Sequence, residues 1–407
     1  MAKYVIIGNS AAAIGAVEGI REVDKLGDIT VISKEKYHTY SRPLISYLLQ
    51  GKTTLQNMKY RSDSFYADNN VNFICAEALK IDAEKKIVIT SIGETKYEKL
   101  LIATGSKPFV PNFEGLDNVR TKFTFMSLDD ALALNEKLTP DSRVLIIGAG
   151  LIGLKCAEAL AKRAGGITVT DLADQVMPSV LDKECSAIVK KVIENNGIKF
   201  LLGDSVIRFE ENKAYMKSGA EIEFDILVIA AGVRPNVELL ENIAQINRGI
   251  IIDETCKTTA DSIYAAGDCV LSYDITSEQT KILALLPNAY IQGFCAGVNM
   301  AGGYKSYKNA FPMNAIGFFG YHILSAGSIV GESYVESDGE NYKRLFYKDD
   351  RLKGFILAGN IQKAGIYTSL IREQTPLSEI DFELIKKYPT LAAFGLNKIK
   401  KCLGEEV

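Results

Sequence analysis

The sequence predicts an α/β protein: two units built on open parallel sheets, then a smaller α+β module at the C-terminal end. Three observations predict it. Tyr4–Arg21 (YVIIGNSAAAIGAVEGIR) and Arg143–Arg163 (RVLIIGAGLIGLKCAEALAKR) share one design: a short apolar run, a Gly-centred turn and an Ala-rich helix. Tyr97–Pro108 (YEKLLIATGSKP) and Phe224–Asn236 (FDILVIAAGVRPN) share another: an apolar strand, a small-residue turn ending in Gly, then Pro. After Ala310 the texture changes to strand-like runs such as YKRLFY and LKGFILAG.

An apolar run without alternation suits a parallel strand covered on both faces. Each Gly-centred unit is followed by a second such run, Asp28–Ser33 (DITVIS) and Ile167–Asp171 (ITVTD), so each half contains a βαβ unit. Between them, Lys36–Gly51 (KYHTYSRPLISYLLQG) reads as a loop entering a helix, with Arg42 and Pro43 ahead of an apolar face of Leu44, Ile45, Leu48 and Leu49. Asn288–Gly302 reads as a later helix, and Leu377–Lys400 as a helical C-terminal segment. The expected domains are 1–110 with 245–310, then 111–244, then 311–407.

The chain has 407 residues, 47% hydrophobic and 24% charged, with a net charge of -3. That is ordinary for a globular protein with a large core. It argues against a nucleic-acid or anionic-membrane binder, which is usually basic. No apolar run reaches the ~18–20 residues of a transmembrane helix. The N-terminal apolar stretch carries a Gly8-Asn9-Ser10 turn and the charges Glu18, Arg21 and Glu22, so it reads as strand and helix rather than a signal sequence. Seven cysteines (Cys75, Cys156, Cys185, Cys256, Cys269, Cys295 and Cys402) form no Cys-x-x-Cys pair. Reduced thiols in a cytoplasmic protein are expected. The only histidines are His38 and His322, and no Cys/His spacing suggests a metal site.

Gly148-Ala149-Gly150-Leu151-Ile152-Gly153 matches the dinucleotide fingerprint. The first Gly makes the tight turn, the second admits the pyrophosphate, and the third lets helix and strand pack. It follows a strand, opens a helix, and has Asp171 at the end of the next strand. A carboxylate there accepts from a ribose 2′-OH and repels a 2′-phosphate, so NADH is expected over NADPH. Gly8-Asn9-Ser10-Ala11-Ala12-Ala13 departs from the pattern, with Ser10 and Ala13 at the second and third Gly positions. Both are small, and Ser10 offers a hydroxyl to a phosphate. Two Rossmann-like dinucleotide-binding domains are the economical reading.

With these turns, three further motifs resemble those of the two-dinucleotide-binding-domain flavoproteins, the pyridine nucleotide–disulfide oxidoreductase superfamily. Leu101–Pro108 resembles the family's Ala-Thr-Gly crossing between domains. Ala230–Asn236 resembles the crossing beyond the nicotinamide domain. Thr259–Asp268 (TADSIYAAGD) resembles the second flavin motif. The resemblance covers about residues 1–310 and implies FAD in the first unit and NADH in the second.

Carried over position by position, it implies FAD contacts from Gly8, Asn9, Ser10, Ala11, Ala103, Thr104, Gly105, Gly267 and Asp268, with Asp268 bonding the ribityl chain. Gln292, in a helix whose N-terminus points at the flavin, is the expected polar contact there. Ser33 and Lys34 are expected against the adenosine half, with Glu35 as a rival, and Ala78 beside the adenine. NAD contacts fall to Gly148, Gly150, Leu151, Ile152, Gly153, Asp171 and Gly232. Lys155 stands where the family often has Glu, which leaves the nicotinamide contact open.

Disulfide reductases of this superfamily carry a redox Cys in the helix start that here reads Tyr40-Ser41-Arg42-Pro43-Leu44-Ile45-Ser46. No cysteine is present, so thiol exchange loses its nucleophile. The segment resembles a thiol-free branch that includes NADH:rubredoxin oxidoreductases, the flavin modules of nitrite reductases and NADH oxidases. There Arg-Pro lies against the flavin, Arg42 offering a fork of donors and Pro43 suiting a helix start. His38 is expected to be a loop residue without a catalytic role.

The implied activity is FAD-dependent oxidation of NADH, with hydride passing to the flavin and electrons leaving to an external acceptor. The first expectation is a small iron protein such as rubredoxin, and the second is oxygen. A coenzyme A disulfide or persulfide reductase, or a sensor flavoprotein, are the alternatives. The C-terminal module is expected to serve a homodimer interface or acceptor docking, with Phe318-Phe319-Gly320-Tyr321 as a core strand or a neighbour of the flavin.

Overall fold

The computed structural model describes residues 2–395. Cys402 and the last part of the predicted helical segment, 396–400, lie outside the described residues.

The first unit is a parallel sheet. Strand β1 (Ala2–Ile7) leads through helix α1 (Ala11–Val23) to β2 (Ile29–Ser33), and helix α2 (Ile45–Leu49) follows a single 3₁₀ turn at Arg42–Leu44. Then come β3 (Val71–Cys75), β4 (Ala78–Asp82), β5 (Ile87–Thr90) and β6 (Gly93–Ile102). The order is β3-β2-β1-β6, with Ile263–Ala265 joining β6 in parallel. β4 and β5 extend the early part of β6 as an antiparallel flap. β1 runs almost wholly buried because α1 covers it on one face. Helix α1 packs against helix Leu286–Met300 at unusual closeness, since an added Cβ on Gly293 would lie 1.9 Å from the Ala12 carbonyl oxygen.

The second unit repeats the plan with strands Arg143–Ile147, Gly166–Asp171, Ile198–Leu202 and Ile226–Ile229 around helix Leu151–Leu160. Two short antiparallel strands, Ser106–Pro108 and Val233–Pro235, carry the chain across and back. The third module is a five-stranded antiparallel sheet of Met313–Phe318, Tyr321–Gly327, Glu332–Ser337, Tyr342–Lys348 and Arg351–Ala358, backed by helix Ala364–Glu373.

One detail differs from expectation. Among the described residues, Leu377–Lys400 is not one helix. A short helix at Phe382–Lys387 is flanked by 3₁₀ turns, because Pro389 cannot continue it and restrains Tyr388 before it. Phe318-Phe319-Gly320-Tyr321 is part core strand and part turn: Phe318 is buried at the end of one strand and Tyr321 opens the next. It is the tip of the first C-terminal hairpin, packed on the core of the second unit. No described helix is long and apolar enough to cross a membrane.

Candidate functional site

The two Gly-centred turns are superposable in their chemistry. Gly8 donates to the Ile32 carbonyl and Ala103 to the Ile7 carbonyl, both at 2.8 Å. Gly148 donates to the Thr170 carbonyl at 2.8 Å and Ala230 to the Ile147 carbonyl at 2.7 Å. Both glycines are left-handed, φ 119° and 116°. A Cβ on Gly8 would lie 2.1 Å from the Ala103 oxygen, and one on Gly148 would lie 2.2 Å from the Ala230 oxygen. Each turn is therefore pinned between its own strand and the strand that closes the unit.

At the first turn, Ser10 is the N-cap of α1, and its hydroxyl makes no cap bond. Ala11, Ala12 and Ala13 are buried, and no acid stands in the first helical turn. Backbone N–H groups and a spare hydroxyl are thus offered to an anion. The Asn9 side chain is bonded within the protein. Its Nδ2 donates to the Tyr37 carbonyl at 3.2 Å, and its Oδ1 accepts from the Tyr66 hydroxyl at 2.8 Å. The side chain fastens the following loop, and only its backbone faces the turn. His38 lies in that loop, its ring tilted against Tyr66 with centroids 4.7 Å apart and Nδ1 3.1 Å from the Thr39 carbonyl.

Ser33 ends β2, and its hydroxyl accepts from the Glu35 amide at 3.2 Å. Lys34 is exposed beside it, and Ala78 opens β4, which pairs with β5. Glu35 is withdrawn from the ribose role for which it was a rival. Its carboxylate takes the Arg42 Nη2 at 2.5 Å and the Tyr40 hydroxyl at 2.7 Å. Arg42 Nη1 donates on to the Tyr40 hydroxyl at 3.2 Å and to the Met126 carbonyl at 3.3 Å, and Tyr40 accepts from the Leu128 amide at 3.0 Å. Arg42 and Pro43 therefore stand at the seam between the two units, held by partners from both.

Asp268 faces this guanidinium. Burial raises its carboxyl above the ordinary range, against the opposing pull of Arg42 and of a hydrogen bond from Ser106. Gln292 is engaged within the protein. It is buried, its Oε1 accepts from the Gly267 amide at 2.8 Å, and its Nε2 donates to the Ser272 hydroxyl at 2.5 Å. It holds the Gly267-Asp268 turn from behind rather than offering itself to a ligand.

The crossings are clamped together. Thr104 Oγ1 donates to the Asn236 carbonyl at 2.8 Å, Asn236 Nδ2 donates to the Thr104 carbonyl at 2.9 Å, and the Asn236 amide donates to the Gly105 carbonyl at 2.9 Å. Gly105 and Gly232 make these turns with φ 65° and 113°. Asn236 closed a quoted motif but was not singled out from sequence, because its value depends on a partner strand far away in the chain.

In the second unit, Gly150 is the N-cap of helix Leu151–Leu160, and a Cβ there would meet nothing within 4 Å. No packing contact of the protein requires a glycine there, and the space above it is open. Gly153 does serve the protein, since its Cβ would lie 2.0 Å from the Gly148 oxygen. Leu151 and Ile152 form the first helical turn. Asp171 Oδ2 accepts from the Ala149 amide at 2.6 Å and Oδ1 from Ala173 at 2.8 Å, so its carboxylate is fixed beside the turn.

Among the described residues, no cysteine lies in the Tyr40–Ser46 segment. Cys75 is exposed at the end of β3, opposite Ser33. Cys156, Cys185, Cys256, Cys269 and Cys295 are buried. Burial pushes the Cys156 thiol well above its usual range, the reverse of an activated thiolate.

The first unit fits FAD: a pinned small-residue turn at Gly8, a Ser10 hydroxyl that makes no cap bond, and a carboxylate at Asp268 facing Arg42. Asp268→Asn is an informative variant. With a raised folded carboxyl, the charged form costs stability above that value, and the cost is relieved as pH falls through it. At neutral pH the unloaded Asn variant is therefore expected to melt higher than unloaded wild type. FAD affinity is expected to fall about tenfold or more through loss of a charged acceptor. Thermal melts with and without FAD check both signs.

Residues 2–293 match the family model described as pyridine nucleotide-disulphide oxidoreductase. Residues 312–375 match the rubredoxin NAD+ reductase C-terminal domain. The NADH-dependent phenylglyoxylate dehydrogenase subunit epsilon of Aromatoleum evansii is 33% identical over 395 residues, covering 93% of each chain. The NADH oxidase of Methanocaldococcus jannaschii is 32% identical over 318 residues, covering 74% of this chain and 70% of that one. The NADH-rubredoxin oxidoreductase of Clostridium acetobutylicum is 27% identical over 367 residues, covering 88% and 91%. The chain spans about half the length of two Bacillus subtilis relatives, the assimilatory nitrate reductase electron transfer subunit (49%) and a nitrite reductase (48%). Among solved structures, putidaredoxin reductase in its covalent complex with putidaredoxin matches with a TM-score of 0.88 at 22% identity, covering 100% of this chain and 99% of that one. That likeness concerns the fold.

Proposed function

Because this chain belongs to the pyridine nucleotide-disulphide oxidoreductase family, we propose that it carries electrons from NADH, through FAD, to an external acceptor, first of all a small redox protein such as rubredoxin. The coarser statement stands on the family: it is an FAD-dependent NAD(P)H oxidoreductase of the rubredoxin/ferredoxin reductase type. The finer one is carried by a single observation. The segment Tyr40–Ser46 presents a hydrogen-bonded Arg42–Glu35–Tyr40 network and no sulfur, so electrons have no internal disulfide to reduce. The match at 312–375 to the rubredoxin reductase C-terminal domain supports the choice of acceptor.

Bound FAD supplies the hydride-accepting and electron-releasing chemistry. The residues hold and orient. Gly8, Ser10 and the α1 N-terminus take the FAD pyrophosphate. Ser33, Lys34 and Ala78 line the adenosine side, Ala103 to Gly105 and Gly267 the approach to the rings. Asp268, steadied by Gln292, takes the ribityl hydroxyls. Arg42 lies beside it with its charge balanced by Glu35. Gly148 to Gly153 seat the NADH pyrophosphate, Asp171 the adenosine ribose, and Gly232 the nicotinamide end.

Oxygen is the second reading, favoured by the 32% identity to an NADH oxidase. Enzyme reduced with one equivalent of NADH under argon is mixed with oxidised rubredoxin or with air-saturated buffer. Faster flavin reoxidation by rubredoxin supports the first reading, and faster reoxidation by oxygen the second. Failure of both leaves a partner subunit as acceptor, in keeping with the subunit epsilon relative.

A further inference from the structure

Lys155 and Glu158 stand one turn apart on the helix that leaves the Gly148–Gly153 turn, with side-chain exposures of 19% and 6%. They pair with each other, and each also holds the C-terminal hairpin tip. Lys155 Nζ donates to the Gly317 carbonyl at 3.1 Å, and Glu158 Oε1 accepts from the Phe319 amide at 2.8 Å. The ammonium lies 5.0 Å from the centre of the Tyr47 ring on α2 and 5.5 Å from that of the buried Phe318. One ion pair thus touches all three parts of the molecule.

The tip it grips is stiff. Phe319 and Gly320 both adopt left-handed backbone, φ 50° and 88°, in a two-residue hairpin that pairs Phe318 with Tyr321. A second tie lies just beyond the helix, where Arg163 Nη1 donates to the Leu49 carbonyl at the end of α2 at 2.7 Å. A buried pair is weak evidence for stability, since apolar isosteres often do as well. It is directional, however. Gly317 needs a donor and Phe319 an acceptor, so only this order of charges fits.

We propose that Lys155 and Glu158 are positioning residues for hydride transfer. They fix the helix of the nicotinamide turn against α2, the helix that follows Arg42-Pro43, and against the C-terminal hairpin. The third module thereby sets how closely the two cofactor turns approach. This rests on the functional reading above. Small displacements at such a junction are costly, because reactive geometry tolerates little error.

The test uses the full-length FAD-loaded enzyme and its variants Lys155→Met, Lys155→Arg and Glu158→Gln. Anaerobic stopped-flow reduction across a range of NADH gives a limiting rate and an apparent NADH dissociation constant, and FAD content is measured alongside. Lys155→Met is expected to lower the limiting rate about 10- to 100-fold. NADH affinity is expected to stay within about threefold and FAD content unchanged. Lys155→Arg restores most of the rate, and Glu158→Gln falls between. A wild-type rate in Lys155→Met overturns the proposal. So does a loss of FAD or of NADH affinity that accounts for the slower rate, or an absence of rescue by arginine. Wild-type enzyme that NADH does not reduce overturns the functional reading instead.

Discussion

Gly148→Ala should keep its FAD and lose reduction of that FAD by NADH. The added Cβ would lie 2.2 Å from the Ala230 oxygen, on a residue held at φ 116°. The backbone strain alone costs of order 1–3 kcal/mol, and the clash with a neighbouring strand cannot be relieved by a side-chain rotation. The turn must move, and the N–H groups that seat the pyrophosphate move with it. Gly8→Ala meets the Ala103 oxygen at 2.1 Å and should instead lose FAD. Gly150→Ala is the control, because its Cβ meets no protein atom within 4 Å. It should fold and hold FAD normally, and any weakening of NADH binding is then due to the ligand. FAD content and NADH titrations of the three variants separate the turns. Reduction of Gly148→Ala at the wild-type rate would remove the second unit as the NADH site.

Replacing Asp171 should reverse the choice of nicotinamide cofactor. Two backbone amides fix the carboxylate at 2.6 and 2.8 Å, and its remaining lone pairs are free for the ribose hydroxyls. Leu172 beside it is 74% exposed, so an arginine there reaches the same space. In Asp171→Ala with Leu172→Arg, loss of a hydrogen bond to a charged group worth about 1.5–3 kcal/mol lowers kcat/KM for NADH about 10- to 100-fold. The new guanidinium is expected to donate to the 2′-phosphate of NADPH. Steady-state kinetics with both cofactors check it. An unchanged preference would show that Asp171 does not read the ribose.

Much of this was legible in the sequence because parallel strands covered on both faces leave continuous apolar runs. Tyr4–Ile7 and Val144–Ile147 are such runs, and the small residues after them announce the turns. The partner choices were not legible. Glu35 was weighed as a ribose ligand because it follows β2. Only the fold of the loop through Tyr40 brings it onto Arg42. Gln292 was expected to face the flavin, in a helix whose buried side could not be known until α1 was seen against it. Lys155 stood out as an oddity, but its partner Gly317, and Phe319 which donates to Glu158, lie in another module, and no periodicity connects them. Leu377–Gly395 has helical composition, and Pro389 together with packing on the C-terminal sheet overrode it. Sequence patterns specify elements and turns, while long-range polar partners depend on the assembled fold.

The central claim is that FAD on this chain takes electrons from NADH with no thiol relay behind it. Anaerobic titration of the loaded enzyme with NADH, followed by the visible flavin band, tests it most directly. The account predicts complete bleaching at one NADH per FAD, and no further uptake until an acceptor is added. Uptake of a second equivalent in the absence of acceptor, or a flavin band that NADH leaves unchanged, would contradict it.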